Sequence, residues 1–203
     1  MIIVERLLKN KKEGLRMPRK RSFDKAAVLD QIMVYFWRNG FQDTGLRELT
    51  ELTGVQAQSL YNAFGSKEAL YVQAMEHYVT VAIAKADQIL ASDRSAEEQI
   101  GALLILDWGK LPYPAGCMVI SSGELDQVNP QLDTVANRLY DHLTACFHRV
   151  LTTMADLRPG LPLDGLAAQL LTLHNGIQVA VQADHYPANV QQLIATTLQT
   201  LKA

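Results

Sequence analysis

The residues best suited to chemistry in this 203-residue chain lie on one short stretch, and the chemistry is hydrogen bonding to an extended polar partner. Residues 56–64 read as a short helix with Leu60 and Phe64, four apart, on one face. The other face carries Gln56, Gln58, Ser59, Tyr61 and Asn62, with Ala57 among them. It is rich in amides and hydroxyls and poor in charge. Such a face suits base edges in a major groove, because Gln and Asn can each give adenine two hydrogen bonds and Ser is permissive. Gly65 ends this helix, Ser66 caps the next, and Lys67 stands at its first turn. A helix N-terminus beside a lysine attracts phosphate by dipole and charge together.

Those side chains need elements to hold them. Thr44 is placed to cap a preceding short helix, with Arg47 and Glu48 on its first turn. Leu46, Leu49 and Leu52 share one face of it and are expected in a common core. Gly54 falls where the chain must reverse, which suits a residue that reaches positive φ at little cost. Val55 then points inward. Upstream, Asp24 and Lys25 open a helix with apolar Val28, Ile32, Tyr35 and Phe36, ending at Asn39-Gly40 before Phe41. The short pair alone could be a compact helical hairpin. The added helix completes the three-helix unit that a helix-turn-helix needs to bury its own core.

Residues 23–70 resemble the N-terminal domain of the TetR family of bacterial transcriptional repressors. The matching residues are Phe36, Gly40-Phe41, Thr44, Leu46 to Leu49, Gly54-Val55, Leu60-Tyr61, Phe64, and the block Ser66-Lys67-Glu68-Ala69-Leu70. The resemblance implies that Gln56 to Asn62 form the recognition helix and that Thr44, Tyr61 and Lys67 contact phosphates. It does not carry over an operator sequence. Met17-Pro18-Arg19-Lys20 looks like a more usual start for this family, leaving residues 1–16 as an added segment.

Composition agrees with a soluble, reduced, cytoplasmic protein: 48% hydrophobic, 20% charged, two cysteines and no apolar run of membrane length. The opening MIIVERLLKN lacks the apolar length and cleavage site of a signal peptide. The net charge of −2 is uneven. Residues 1–22 hold eight Lys and Arg against two Glu, whereas residues 81–203 hold seven against twelve acids. A basic extension at 1–22, with Pro18-Arg19-Lys20-Arg21 able to reach a minor groove, is therefore expected ahead of an acidic remainder.

From residue 71 to 203 the pattern is that of a helical regulatory and dimerisation domain, making the whole chain all-α. A long helix runs from Ser66 to about Ala91. Residues 95–98 form a capping box for a helix to about Trp108, and residues 114–123 hold a short one. Asn129-Pro130 opens a helix with the spine Leu132, Val135, Leu139, Leu143, Cys146, Val150 and Met154. Asp164 is expected to cap the next helix, and a last one follows Tyr186-Pro187. Ala167, Leu171, Val179 and Ala180 lie off the main stripe of the penultimate helix, so the last two helices are expected to be buried twice. The resemblance implies that they form a four-helix homodimer interface, presenting two recognition helices to a pseudo-palindromic operator.

Catalysis finds little support. The five His form no i, i+3 or i, i+4 pair with one another, and there is no Cys-x-x-Cys, nucleophile elbow or phosphate-cradling glycine loop. Neither a metal nor a cofactor is expected. A small-molecule pocket between helices is expected instead, with Trp108, Tyr113, Cys117, Met118, Phe147, His174 and Gln178 as candidate lining. Cys117, near the start of a short helix, is expected to have a lowered thiol pKa, which would suit a sensor of oxidants or electrophiles. The functional expectation is a ligand-responsive repressor. The rival is an all-helical small-molecule-binding protein or enzyme without DNA binding.

Overall fold

The computed structural model describes residues 23–109, 113–121, 129–183 and 190–203. The basic extension at 1–22 and the Tyr186-Pro187 break lie outside the described residues. The described residues form an all-α protein. Its helices are α1 (Lys25–Asn39), α2 (Leu46–Thr53), α3 (Ala57–Phe64), α4 (Lys67–Leu90), α5 (Ala96–Ile105), α6 (Met118–Ser121), α7 (Pro130–Thr153), α8 (Leu163–Gln182) and α9 (Val190–Leu201). Among the described residues, no helix is long and apolar enough to cross a membrane.

The helix boundaries follow local chemistry. Asp24 caps α1 by accepting from the amides of Ala26 and Ala27. Ser66 caps α4 by accepting from Ala69 N. Ser95 and Glu98 close the capping box of α5, and Asn129 with Pro130 opens α7. Two starts differ from expectation. Gly45, not Thr44, holds the cap position of α2. Pro162 holds that of α8, so Asp164 lies within the first turn. Helix α5 also stops at Ile105, short of Trp108, because Leu106 turns into the left-handed region at φ 41°.

Helix α4 is the organising element. At 24 residues it is roughly 36 Å long, enough to run through both halves of the molecule. Its first part packs on α1 and α3, and its later part on α7 and α5. Phe36, Phe41 and Tyr71 make edge and stacked ring contacts at the first junction. His77 Nε2 adds a 3.2 Å hydrogen bond to Asp30 Oδ1 of α1. The spine expected for α7 is buried at every position from Leu132 to Met154. Leu52 of α2 is not in the core, being 40% exposed.

Candidate nucleic-acid interface

The turn between α2 and α3 depends on Gly54, which sits in the left-handed region at φ 67° and donates to Thr50 O at 3.0 Å. Val55 follows and is buried, anchoring α3 to the core. Leu49, Leu60 and Phe64 are buried beneath the pair. With Leu60 and Phe64 turned inward, the geometry of α3 turns Gln58, Tyr61 and Asn62 outward, all exposed, and Gln56 at its cap is exposed as well. Ala57 and Ser59 are half-buried at the edge of this face. Gln58 Nε2 donates to Asn62 Oδ1 at 3.0 Å, so these two amides hold each other one turn apart. No ionisable side chain other than Tyr61 lies on α3.

The flanks differ in what they offer. Lys67, at the first position of α4, lies 4.2 Å above the ring of Phe41. That contact steadies the ammonium beside the positive end of the α4 dipole. Arg47 is exposed and pairs with Glu51 at 2.9 Å. Thr44 corrects the expectation of a phosphate contact. Its side chain is fully buried and Oγ1 donates to Gly40 O at 2.6 Å. Its amide is bonded to Phe41 O, so both of its donors serve the α1–α2 corner.

Two residues absent from the expected site set fix the aim of α3. Lys25 Nζ donates to Ala63 O at 2.9 Å and lies 4.7 Å over the Phe64 ring. Gln73 Nε2 donates to Phe64 O at 2.8 Å. Together they satisfy carbonyls at the end of α3 that no helical partner reaches, and the lysine complements the negative end of its dipole. Their sequence distances, 38 and 9 residues, hid the pairing.

The other half of the molecule holds a half-open cavity of about 910 Å³. Its wall includes Lys85 and Ile89 of α4, Trp108, Tyr113, and Gln178 of α8. Of the seven pocket candidates, the structure places Trp108, Tyr113 and Gln178 on this wall. Cys117, Met118 and Phe147 are buried core residues off it. Trp108 stacks on Tyr78 and meets Trp37 edge-on, each at 5.0 Å. The indole nitrogens of Trp37 and Trp108 are buried with no acceptor among the described residues.

His174 is buried away from the cavity wall, where its Nδ1–H donates to Leu103 O and Leu104 O at 3.0 and 3.1 Å. Gln178, one turn on, donates to Ile105 O at 2.7 Å. The pair replaces the missing turn where α5 stops early. Burial lowers the His174 pKa below its ordinary 6.5, against the opposing pull of the two carbonyls.

Cys117 overturns the expectation of a lowered thiol pKa. Helix α6 is a single turn, the thiol is buried, and burial pushes its pKa up. The Tyr78 hydroxyl, which donates to Sγ at 3.2 Å, and the amides of Ile120 and Val119 oppose that shift without reversing it.

Comparison with known proteins assigns this arrangement. Residues 28–74 match the profile of bacterial regulatory proteins, tetR family. The HTH-type transcriptional repressor ComR of Escherichia coli (strain K12) is 27% identical over 192 residues, covering 89% of this chain and 90% of that protein. The HTH-type transcriptional repressor BdcR of the same organism is 28% identical over 190 residues, covering 91% of each. Among solved structures, a cysteine mutant of the TetR family regulator CifR on 26 bp operator DNA superposes with a TM-score of 0.72. It is 24% identical and covers 91% of this chain and 100% of that one. Reduced E. coli NemR superposes with a TM-score of 0.74 at 17% identity, covering 88% and 96%. These two share the fold. Residues 28–74 thus carry a helix-turn-helix of the tetR type, in a chain similar to HTH-type transcriptional repressors over 89% and 91% of its length.

Proposed function

We propose that the protein is a homodimeric repressor that binds a pseudo-palindromic DNA operator and is released when a small molecule enters the cavity beside α4. The observation that carries this reading is the exposed, uncharged amide and hydroxyl face of α3, held by Lys25 and Gln73 and flanked by Lys67. Gln56, Gln58, Ser59 and Asn62 would read base edges, while Tyr61, Lys67 and Arg47 would bind phosphate. CifR, a structural neighbour, was solved on operator DNA, which supports the same docking here.

The dimer reading rests on α8 and α9. Residues 190–201 contain no charged side chain, and in residues 166–183 the only ionisable one is the buried His174. Val179 is 50% and Leu193 40% exposed. Helix faces left to water usually carry charge, so an apolar, uncharged pair of faces fits a second copy. Two-fold pairing sets two α3 helices one DNA turn apart.

The cavity touches α4 through Lys85, Gln88 and Ile89, and α4 begins at the DNA-facing Lys67. A ligand that fits better when α4 is tilted would shift the population away from the DNA-binding form. The orphaned Trp108 N–H and the Lys85 ammonium, 5.7 Å from the Trp108 ring, favour a flat effector with a hydrogen-bond acceptor or anionic group. A second route would act through Cys117, whose modification would remove the Tyr78 contact to α4. NemR, described in a reduced form, has the same fold. Cys117→Ser would then abolish a response to an electrophile, and an unchanged response would reject that route.

Fluorescence anisotropy across a salt series, on DNA from the intergenic region upstream of the gene, tests the main reading. Binding is expected to weaken linearly in log salt. Failure to bind any such DNA, by a folded dimer, would favour a carrier or enzyme without DNA binding.

A further inference from the structure

Helix α4 receives a second set of groups on the side turned away from the cavity. Asp87 of α4 meets His142 and Cys146 of α7, which are one turn apart on the same helix face. One ligand atom from each lies within 4.8 Å of the others. His142 Nε2–H donates to Asp87 Oδ1 at 2.9 Å. Cys146 is buried, His142 is half-buried and Asp87 is exposed, so the cluster has a closed thiol floor and an open carboxylate rim.

We propose that Asp87, His142 and Cys146 form a binding site for a borderline-soft divalent transition metal ion such as Zn(II) or Co(II). The donor set selects this class. Thiolate and imidazole together disfavour Mg(II) and Ca(II), which take oxygen ligands, whereas nitrogen, sulfur and one carboxylate suit a tetrahedral ion. Such an ion, with bonds of about 2.0–2.3 Å, spaces its donors roughly 3.5 Å apart. Side-chain rotations of about an ångström would close the three donors to that spacing, and water from the open rim would fill the fourth position.

The proton balance is simple. The Cys146 thiol is protonated in the free protein, because burial and the nearby Asp87 carboxylate push its pKa up to about 11, against Arg149. Binding breaks the S–H bond, forms the metal–sulfur bond and releases one proton to solvent. Metal binding through Nε2 requires the His142 ring to carry its proton on Nδ1. The Nε2–H···Oδ1 hydrogen bond is thus replaced by two bonds to one metal. The ion would bridge α4 to α7 at a point 20 residues along α4 from Lys67.

Titration of the full-length, DNA-free protein with Co(II) tests the site. The expected result is one equivalent bound, with a thiolate-to-cobalt charge-transfer band, d–d bands of tetrahedral intensity, and displacement by Zn(II). Cys146→Ser should remove the charge-transfer band, and Cys117→Ser should leave it intact. Asp87→Asn lies on the exposed rim and spares the core; it should weaken Co(II) binding by about tenfold or more, since even outer partners of a metal ligand have effects of that size. Absence of the band in the wild type, its survival in Cys146→Ser, or unchanged affinity in Asp87→Asn would overturn the proposal. The readout involves no DNA, so its failure is distinct from failure of the operator-binding reading.

Discussion

Single side chains divide into those that face a partner and those that hold the frame. Lys67 stands at the first position of α4, so in the proposed phosphate role Lys67→Ala should weaken binding about equally to all DNA sequences and lower the salt slope by about 1. Gln58 sits on the exposed face of α3 proposed to read bases, so Gln58→Ala should cost about 1–3 kcal/mol on the preferred operator and little on unrelated DNA. Anisotropy titrations on two sequences at several salt concentrations separate these outcomes. His174 belongs to the frame. Its folded pKa is depressed, so the neutral ring stabilises the fold above the unfolded value near 6.5, and that stability is lost as pH falls through the folded value. Melting temperatures should therefore drop as pH falls below about 6.5. The drop should be smaller in His174→Gln, which keeps a donor near the α5 carbonyls without a titrating ring.

At the scale of elements, local patterns were readable and distant pairings were not. The helix-turn-helix was legible because its signals are short-range: Gly54 at the reversal, Leu60 and Phe64 one turn apart, Ser66 as a cap. The α7 spine was legible for the same reason. The ends of α2 and α5 were not. Thr44 has the composition of a cap, yet a bond back to Gly40 holds it inside. The stop at Ile105 needs His174 and Gln178, which arrive from over 70 residues away to cap α5. The His142–Cys146 spacing was visible in the sequence, but only folding brings Asp87 to it, 55 residues distant from His142. The Gly54 turn gives a prediction of its own. A methyl group there meets no atom within 4 Å, so Gly54→Ala should carry only the backbone cost of left-handed φ, about 1–2 kcal/mol. Urea unfolding measures it. The same substitution at Gly116, also at positive φ, should cost more, because a Cβ would lie 2.7 Å from Gln182 Cβ.

For the molecule as a whole, the proposed dimer would cover the outer faces of α8 and α9. If their uncharged outer faces meet a second copy, Val179→Glu combined with Leu193→Glu places four carboxylates in one interface. Sedimentation velocity should then show a monomer where the wild type shows a dimer. Operator affinity should fall with it, because a single α3 engages only one half-site. A monomeric wild type would contradict the dimer reading directly.

The chain has two tryptophans, and the fold places both in one ring cluster. Trp37 comes from the DNA-facing unit, Trp108 from the cavity wall, and Tyr78 of α4 touches both. The protein therefore carries a built-in optical gauge at the joint between its two halves. Its ultraviolet emission comes from a single locus, so effector entry should change intensity or colour without any attached dye. Trp37→Phe and Trp108→Phe would apportion the signal between the DNA side and the ligand side. Emission that stays fixed while an effector abolishes operator binding would mean that the two halves communicate by a route that bypasses this joint.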